Sequence, residues 1–161
     1  MHGQAADESP LITLRRAAMN YLARREHSFH ELILKLGEKY PEFDKNDEIL
    51  PALTRLKNEN LQSDQRFLES YVRYRRNKGF GPIKIEAELY QKGVDSNDVK
   101  TELYSEDNDW NDICQQAFQK RFRCIDTGSL AEIQRYQRFL IQRGFLTENI
   151  RAALEANKAN L

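Results

Sequence analysis

Two cysteines, four prolines, seven glycines and one tryptophan are all that those residue types contribute to 161 positions, and Lys/Arg cancel Asp/Glu at 25 each. Each shortage excludes something. Cys114 and Cys124, with no secretory signal ahead of them, read as reduced cytoplasmic thiols and not as a disulfide pair. No apolar run approaches the length of a membrane span, and the N-terminus lacks the charged-then-apolar layout of a signal segment. A zero net charge excludes a uniform basic field that would steer the whole chain onto DNA. Aromatic residues, at 10 %, are sufficient to argue against global disorder although 31 % of positions are charged.

Net neutrality conceals an alternation. Residues 66–92 carry seven Lys/Arg against three acids and 118–143 six against two, whereas 38–65 carry four against seven and 94–117 one against seven. Such blocks suit surfaces that meet a charged and mixed partner.

The apolar residues recur at helical spacing, which predicts an all-α chain. Leu14, Ala18, Tyr21 and Leu22 give one face of a first helix, and Met1 to Pro10 reads as a flexible lead-in. Ser28 and Glu31 have the spacing of a capping box that opens a second helix through Leu32, Ile33 and Leu36. Asp47 is expected to open a third helix, with Pro51 near its start, and Asp64 a fourth carrying Phe67, Leu68, Tyr71 and Val72. Beyond it, Asp95, Ser129 and Thr147 mark further starts, while Gly93 and Gly144 mark stops.

These pieces superpose. Leu32, Ile85 and Tyr136 are equivalent, as are Leu36, Leu89 and Leu140; Ile49, Val99 and Ile150; and Leu53, Leu103 and Leu154. Self-similarity at this spacing predicts tandem three-helix units, each burying its apolar face partly against its neighbours. The expected boundaries are a lead-in over 1–10, then repeats over 11–62, 63–107 and 108–161.

Sites for chemistry are sparse. Residues 79–84 bring glycines and Lys84 together, but a charged helix precedes them and Ile85 stands where a phosphate loop needs Ser or Thr. His27 and His30 lack a third ligand, so a metal is not expected there. Asp107, Asp109 and Asn111 open like a calcium loop, yet Asp112 replaces the required Gly and Phe118 the bidentate Glu. No serine or cysteine has an adjacent base in a recognisable arrangement, and neither enzymatic activity nor a cofactor is expected.

What remains is basic side chains at recurrent places on helices. Arg73, Arg75, Arg76 and Lys78 precede Gly79, and Lys84 follows it. Lys120, Arg121 and Arg123 repeat the placement in the third unit, with Arg24 and Arg25 a weaker version in the first; Arg135, Arg138 and Arg143 line the third unit's second helix. Recurrence predicts a shared basic groove able to neutralise phosphates or an acidic protein surface. Tyr74 and Phe80 interleave with the middle cluster. The step Gly79-Phe80-Gly81-Pro82 reads as a joint, with Gly79 ending one helix in the left-handed conformation, Gly81 at the cap of the next and Pro82 at its first position.

The segments YLARREHSFHELILKL (21–36), SDQRFLESYVRYRRNKGFGPIKIEAELYQKG (63–93) and RFLIQRGF (138–145) resemble the RecX regulatory proteins, modulators of the RecA recombinase. The resemblance runs from about Leu14 to Leu154, and its most specific parts are Arg25 to Leu32 and Lys78 to Pro82. It implies three tandem three-helix repeats in an elongated, curved array. It also implies binding in the groove of the RecA–DNA filament, limiting filament extension, strand exchange and the coupled ATP hydrolysis. A monomer without activity of its own is expected, with no membrane contact and weak DNA binding at most. The alternative is a helical module that binds single-stranded or duplex DNA directly and acts by competition. Two positions depart from the family pattern: Asn60 stands where Gly is frequent, and Gln62 where an apolar residue is usual. Asn60 should tolerate the left-handed conformation, while Gln62 calls the packing around it into question.

Overall fold

The computed structural model describes residues 8–126 and 128–158. Among these residues the chain is all-α, with nine α-helices, one π-helical turn and no strand. The helices are α1 (Pro10–Leu22), α2 (Phe29–Lys39), α3 (Leu50–Asn58), α4 (Asp64–Asn77), α5 (Pro82–Gln91), α6 (Ser96–Leu103), α7 (Trp110–Arg121), α8 (Leu130–Gln142) and α9 (Thr147–Lys158). Residues 1–7 of the expected lead-in lie outside the described residues, and Pro10 already begins α1. The chain divides into two compact units, one of Met1–Ser70 with Lys92–Val94, the other of Tyr71–Gln91 with Asp95–Leu161.

Unit 1 is built on Leu14, Ala17, Ala18, Leu32, Leu36, Ile49, Ala52, Leu53 and Leu56, all buried. Ser28 and Glu31 form the capping box: the Ser28 hydroxyl accepts from the Glu31 N–H, and the Glu31 carboxylate accepts from the Ser28 N–H. The same carboxylate receives Arg25 at 3.2 Å and Lys92 at 2.8 Å. Burial pushes the Glu31 carboxyl up, but these donors outweigh it and hold it at about 2. One helix start differs from expectation. Asp44, not Asp47, accepts from the N–H groups of residues 46 and 47 and caps the π-helical turn Lys45–Ile49, which lets Pro51 enter α3 where its missing N–H is harmless. Asp64 reaches back to accept from the Phe29 N–H at 2.8 Å, and the Ser63 hydroxyl caps α4 by accepting from the Arg66 N–H.

The two departures from the family pattern are met differently. Asn60 takes a φ of 58° and ends its helix left-handed, as expected of it. Gln62 is buried; its amide donates to the His27 carbonyl at 3.2 Å and to Asp64 at 2.9 Å, while its Oε1 is buried without a hydrogen-bond partner, so the substitution is only half compensated.

Unit 2 carries Val72, Ile85, Leu89, Val99, Leu103, Trp110, Phe118, Tyr136, Leu140 and Ile150 in its interior. Phe118, Phe122, Tyr136 and Phe139 form a chain of ring contacts with centroids 4.6–5.4 Å apart. Trp110 is buried, and its Nε1–H donates to the Leu103 carbonyl at 2.7 Å. Asn149 and Asn157 of α9 donate to Asn111 and Gln115 of α7 at 2.9 and 3.1 Å, which fixes the register of that helix pair. All of the positions matched at the repeat spacing, from Leu32, Ile85 and Tyr136 to Leu53, Leu103 and Leu154, are buried.

Candidate functional site

The glycine-rich joint sets the geometry of unit 2. Gly79 has a φ of 78° and ends α4, and Pro82 is the first residue of α5. Gly81 has a different reason to be glycine. Its N–H donates to the Arg143 carbonyl at 2.7 Å, and the Ile83 N–H donates to the Gly144 carbonyl at 3.0 Å. The unsatisfied donors at the start of α5 and the unsatisfied acceptors after α8 thus complete each other, with the two helix dipoles meeting head to tail. A Cβ on Gly81 would lie 2.4 Å from the Gly144 oxygen, and one on Gly144 would lie 2.4 Å from the Lys84 Cβ. Unit 1 contains a related contact: Gly93, at φ 71°, lies so close to His30 that a Cβ would approach its Cβ to 2.6 Å, and the Ser28 hydroxyl donates to the Lys92 carbonyl at 2.7 Å.

Around this joint the basic residues divide by environment. Arg75, Arg143 and Lys84 gather on the half-buried Phe80 ring, at 3.7, 4.6 and 5.2 Å from its centre. Arg75 is also bound to Glu88 through two hydrogen bonds of 2.8 and 2.5 Å, and Glu88 takes a third from the Tyr71 hydroxyl. Arg75 is therefore occupied within the fold. Arg76 is held by the Asn108 side-chain oxygen at 2.7 Å, while the Asn108 amide donates to the carbonyls of Glu102 and Leu103. Arg143 donates to the Lys78 carbonyl at 3.0 Å.

Arg76, Lys78, Lys120, Arg121 and Arg143 line one groove of about 670 Å³, together with Asp107, Asp109, Asp112, Gln116 and the apolar Ile113, Ala117 and Phe139. The basic residues before Gly79 and those at the end of α7, well separated in sequence, thus face a common space. Lys78, Lys120 and Arg121 are exposed, whereas Arg76 and Arg143 are half-buried and fixed. Arg73, Arg123, Arg135 and Arg138 are exposed but do not line the groove, and Arg135 is engaged by Phe122 and Glu132. In unit 1, Arg25 is committed to Glu31, and Arg24 lines a separate cavity of about 480 Å³ beside Tyr21 and Lys39. Among the described residues no group of three or more His, Cys, Asp or Glu is placed to hold a metal; His27 is buried with Nδ1 3.0 Å from the Arg25 carbonyl, and Asp109 caps α7.

The pattern of RecX, second three-helix domain, matches residues 63–103, which span α4, α5 and α6. Regulatory protein RecX of Pseudomonas entomophila is 41 % identical over 143 residues, covering 86 % of this chain and 88 % of its own. The chain belongs to the RecX family. Regulatory protein RecX of Legionella pneumophila is likewise 41 % identical, over 80 % of this chain and 84 % of its own. The crystal structure of RecX from Lactobacillus salivarius superposes with a TM-score of 0.72 at 22 % identity, covering 91 % of this chain and 96 % of that one. A second crystal structure of regulatory protein RecX gives 0.71 at 21 % identity, over 91 % and 72 % of the two chains. At such identities the likeness speaks for the fold alone.

In this RecX-family chain the sequence pattern singled out the cations but not what opposes them. The carboxylates of residues 107, 109 and 112 line the groove, yet along the chain they read only as an incomplete calcium loop within an acidic block. Their counterpart Arg76 lies about thirty residues away on α4, and only the packed fold, which bonds Arg76 to the neighbouring Asn108, brings the two together.

Proposed function

We propose that this chain is a non-enzymatic cytoplasmic regulator that binds along the RecA–DNA filament and restrains filament extension, strand exchange and the coupled ATP hydrolysis. It acts as a monomer of three three-helix units, 11–62, 63–107 and 108–161. Family membership supports the regulatory role. The observation that carries the reading is the groove of unit 2, where Arg76, Lys78, Lys120, Arg121 and Arg143 converge from the C-terminal ends of α4, α7 and α8 and the residues just beyond them. A tandem array gains avidity by touching successive protomers of a filament, so no single contact has to be strong. Among the described residues no helix is long and apolar enough to cross a membrane.

The test is inhibition of the DNA-dependent ATPase of RecA. The wild-type chain should inhibit it, and Lys78→Glu with Lys120→Glu should abolish inhibition while helicity is kept. Undiminished inhibition by that variant would remove the groove from the mechanism.

Direct DNA binding is the second reading, favoured by Arg73, Arg123 and Arg138, which are exposed outside the groove. It requires tight binding to bare single-stranded DNA that falls steeply with salt. Binding confined to the assembled filament contradicts it.

A further inference from the structure

The groove of unit 2 is not uniformly basic. Along α7 its lining runs through Asp109, Asp112, Gln116 and Lys120 at helical spacing, with Asp107 before them and Arg121 after. At about 1.5 Å of rise per residue, the carboxylates and cations at the two ends of α7 lie about 15 Å apart. Screening at physiological salt acts over about 8 Å, so a ligand meets the two ends as separate fields. The acidic end sets three carboxylates against Arg76, which Asn108 holds there; the basic end combines Lys120, Arg121, Lys78 and Arg143. Ile113, Ala117 and Phe139 supply an apolar stretch of the lining.

Helix capping accounts for part of the acidic end. The Asp109 carboxylate accepts from the Asp112 N–H at 3.0 Å, and Asp112 accepts from the Gln116 amide at 2.6 Å. Asp107 lies ahead of the cap and has no share in it. A nucleic-acid backbone lying along the groove would bring phosphates against residues 107, 109 and 112, where like charges repel. A polypeptide can match both ends.

Resting on the reading that the chain docks on a recombinase filament, we propose that this groove takes a protein segment of mixed charge. The segment carries Lys or Arg for the acidic end, Asp or Glu for the basic end and an apolar side chain between them. Contacts to DNA then fall to the exposed arginines outside the groove.

The sign of one perturbation separates protein from nucleic acid. In the full chain, Asp107→Asn with Asp112→Asn removes two negative charges and leaves the Asp109 cap in place. Binding is measured by co-sedimentation with RecA filaments on single-stranded DNA, and by fluorescence anisotropy with a bare labelled oligodeoxythymidine at the same salt. A mixed-charge protein ligand predicts weaker filament binding, by about two- to tenfold, with unchanged or tighter binding to the bare oligonucleotide. Tighter or unchanged filament binding would overturn the proposal, tighter binding by pointing to phosphate in the groove. Lys120→Gln is the companion variant: at the opposite end, it should weaken filament binding as well, and unchanged binding there would equally overturn the proposal. A wild-type chain that fails to sediment with filaments would defeat the functional reading itself, a result distinct from either sign.

Discussion

Replacing Gly81 by alanine tests whether the joint between α5 and the segment after α8 is as tight as its geometry indicates. The added Cβ would lie 2.4 Å from the Gly144 oxygen and 2.5 Å from both the Gly144 carbonyl carbon and the Phe145 nitrogen, all of them backbone atoms with no side-chain freedom to yield. Relieving the clash must stretch the Gly81 N–H to Arg143 carbonyl bond of 2.7 Å and the Ile83 N–H to Gly144 carbonyl bond of 3.0 Å. Overpacking costs about 1–3 kcal/mol, and weakening two backbone hydrogen bonds adds about 0.5–1.5 kcal/mol each. Alanine restricts the unfolded chain and returns about 0.4–1 kcal/mol. The balance is a loss of about 1–5 kcal/mol, or a fall in Tm of about 2–20 °C for a chain of this size. Gly37 supplies the control, because it lies inside α2 with nothing within 4 Å of its notional Cβ. Gly37→Ala should stabilise by about 0.5–1 kcal/mol. Urea and thermal unfolding followed by far-UV circular dichroism read both variants. Gly81→Ala as stable as wild type, beside a stabilised Gly37→Ala, would refute the joint. Since Phe80 and Arg143 flank the contact, Gly81→Ala with Pro82→Ala should also weaken filament regulation through misorientation.

Four further outcomes follow from the same geometry. Glu31, held at about 2 in the folded chain, stabilises fully above its unfolded value and loses that contribution as pH falls from about 5 towards 2, an effect of about 1–3 kcal/mol; Glu31→Gln should flatten the acid limb of a urea–pH titration. His27 acts in the same direction at higher pH: burial lowers its pKa, so its contribution is complete above about 6.5 and declines below as the unfolded chain takes up a proton. Cys124 is exposed while the buried Cys114 thiol is pushed up to about 12, so a thiol reagent should modify one cysteine in the native chain and the second only on unfolding. Arg75→Met should destabilise by about 1–3 kcal/mol, because Glu88 is left without its guanidinium, yet alter filament binding less than Lys120→Glu does; the reverse ranking would show that Arg75 acts outward.

Much of the fold was legible because its signals are local. The Ser28–Glu31 box, the helix starts at Asp95 and Ser129, and the left-handed stops at Gly79, Gly93 and Gly144 all stand where residue chemistry placed them. The core was legible at the matched apolar positions because helical spacing puts them on one face of each helix, and each of them is buried. The start of the third helix was misread since Asp44 and Asp47 are both competent caps, and the choice of Asp44 depends on a π-helical turn that sequence does not announce. Asp64 begins its helix as expected, but its carboxylate serves the α2 terminus and Ser63 caps α4, a tertiary division of labour that sequence does not announce. At the candidate site, the glycine of Gly79 was legible from helix termination, but the need for glycine at 81 comes from Gly144, far along the chain. Likewise the cations were visible as a recurrent pattern, whereas their division into those committed internally, such as Arg75, and those facing the groove, such as Lys120, follows only from packing.

The central claim is that the groove of unit 2 engages the recombinase filament. Co-sedimentation with RecA assembled on single-stranded DNA tests it most directly, comparing the wild-type chain with Lys120→Glu and Arg121→Glu combined. The account predicts that the wild type pellets with the filament, that it does not pellet with DNA alone at physiological salt, and that the variant stays in the supernatant while retaining its helicity. Equal pelleting of variant and wild type, or pelleting with bare DNA alone, would contradict it.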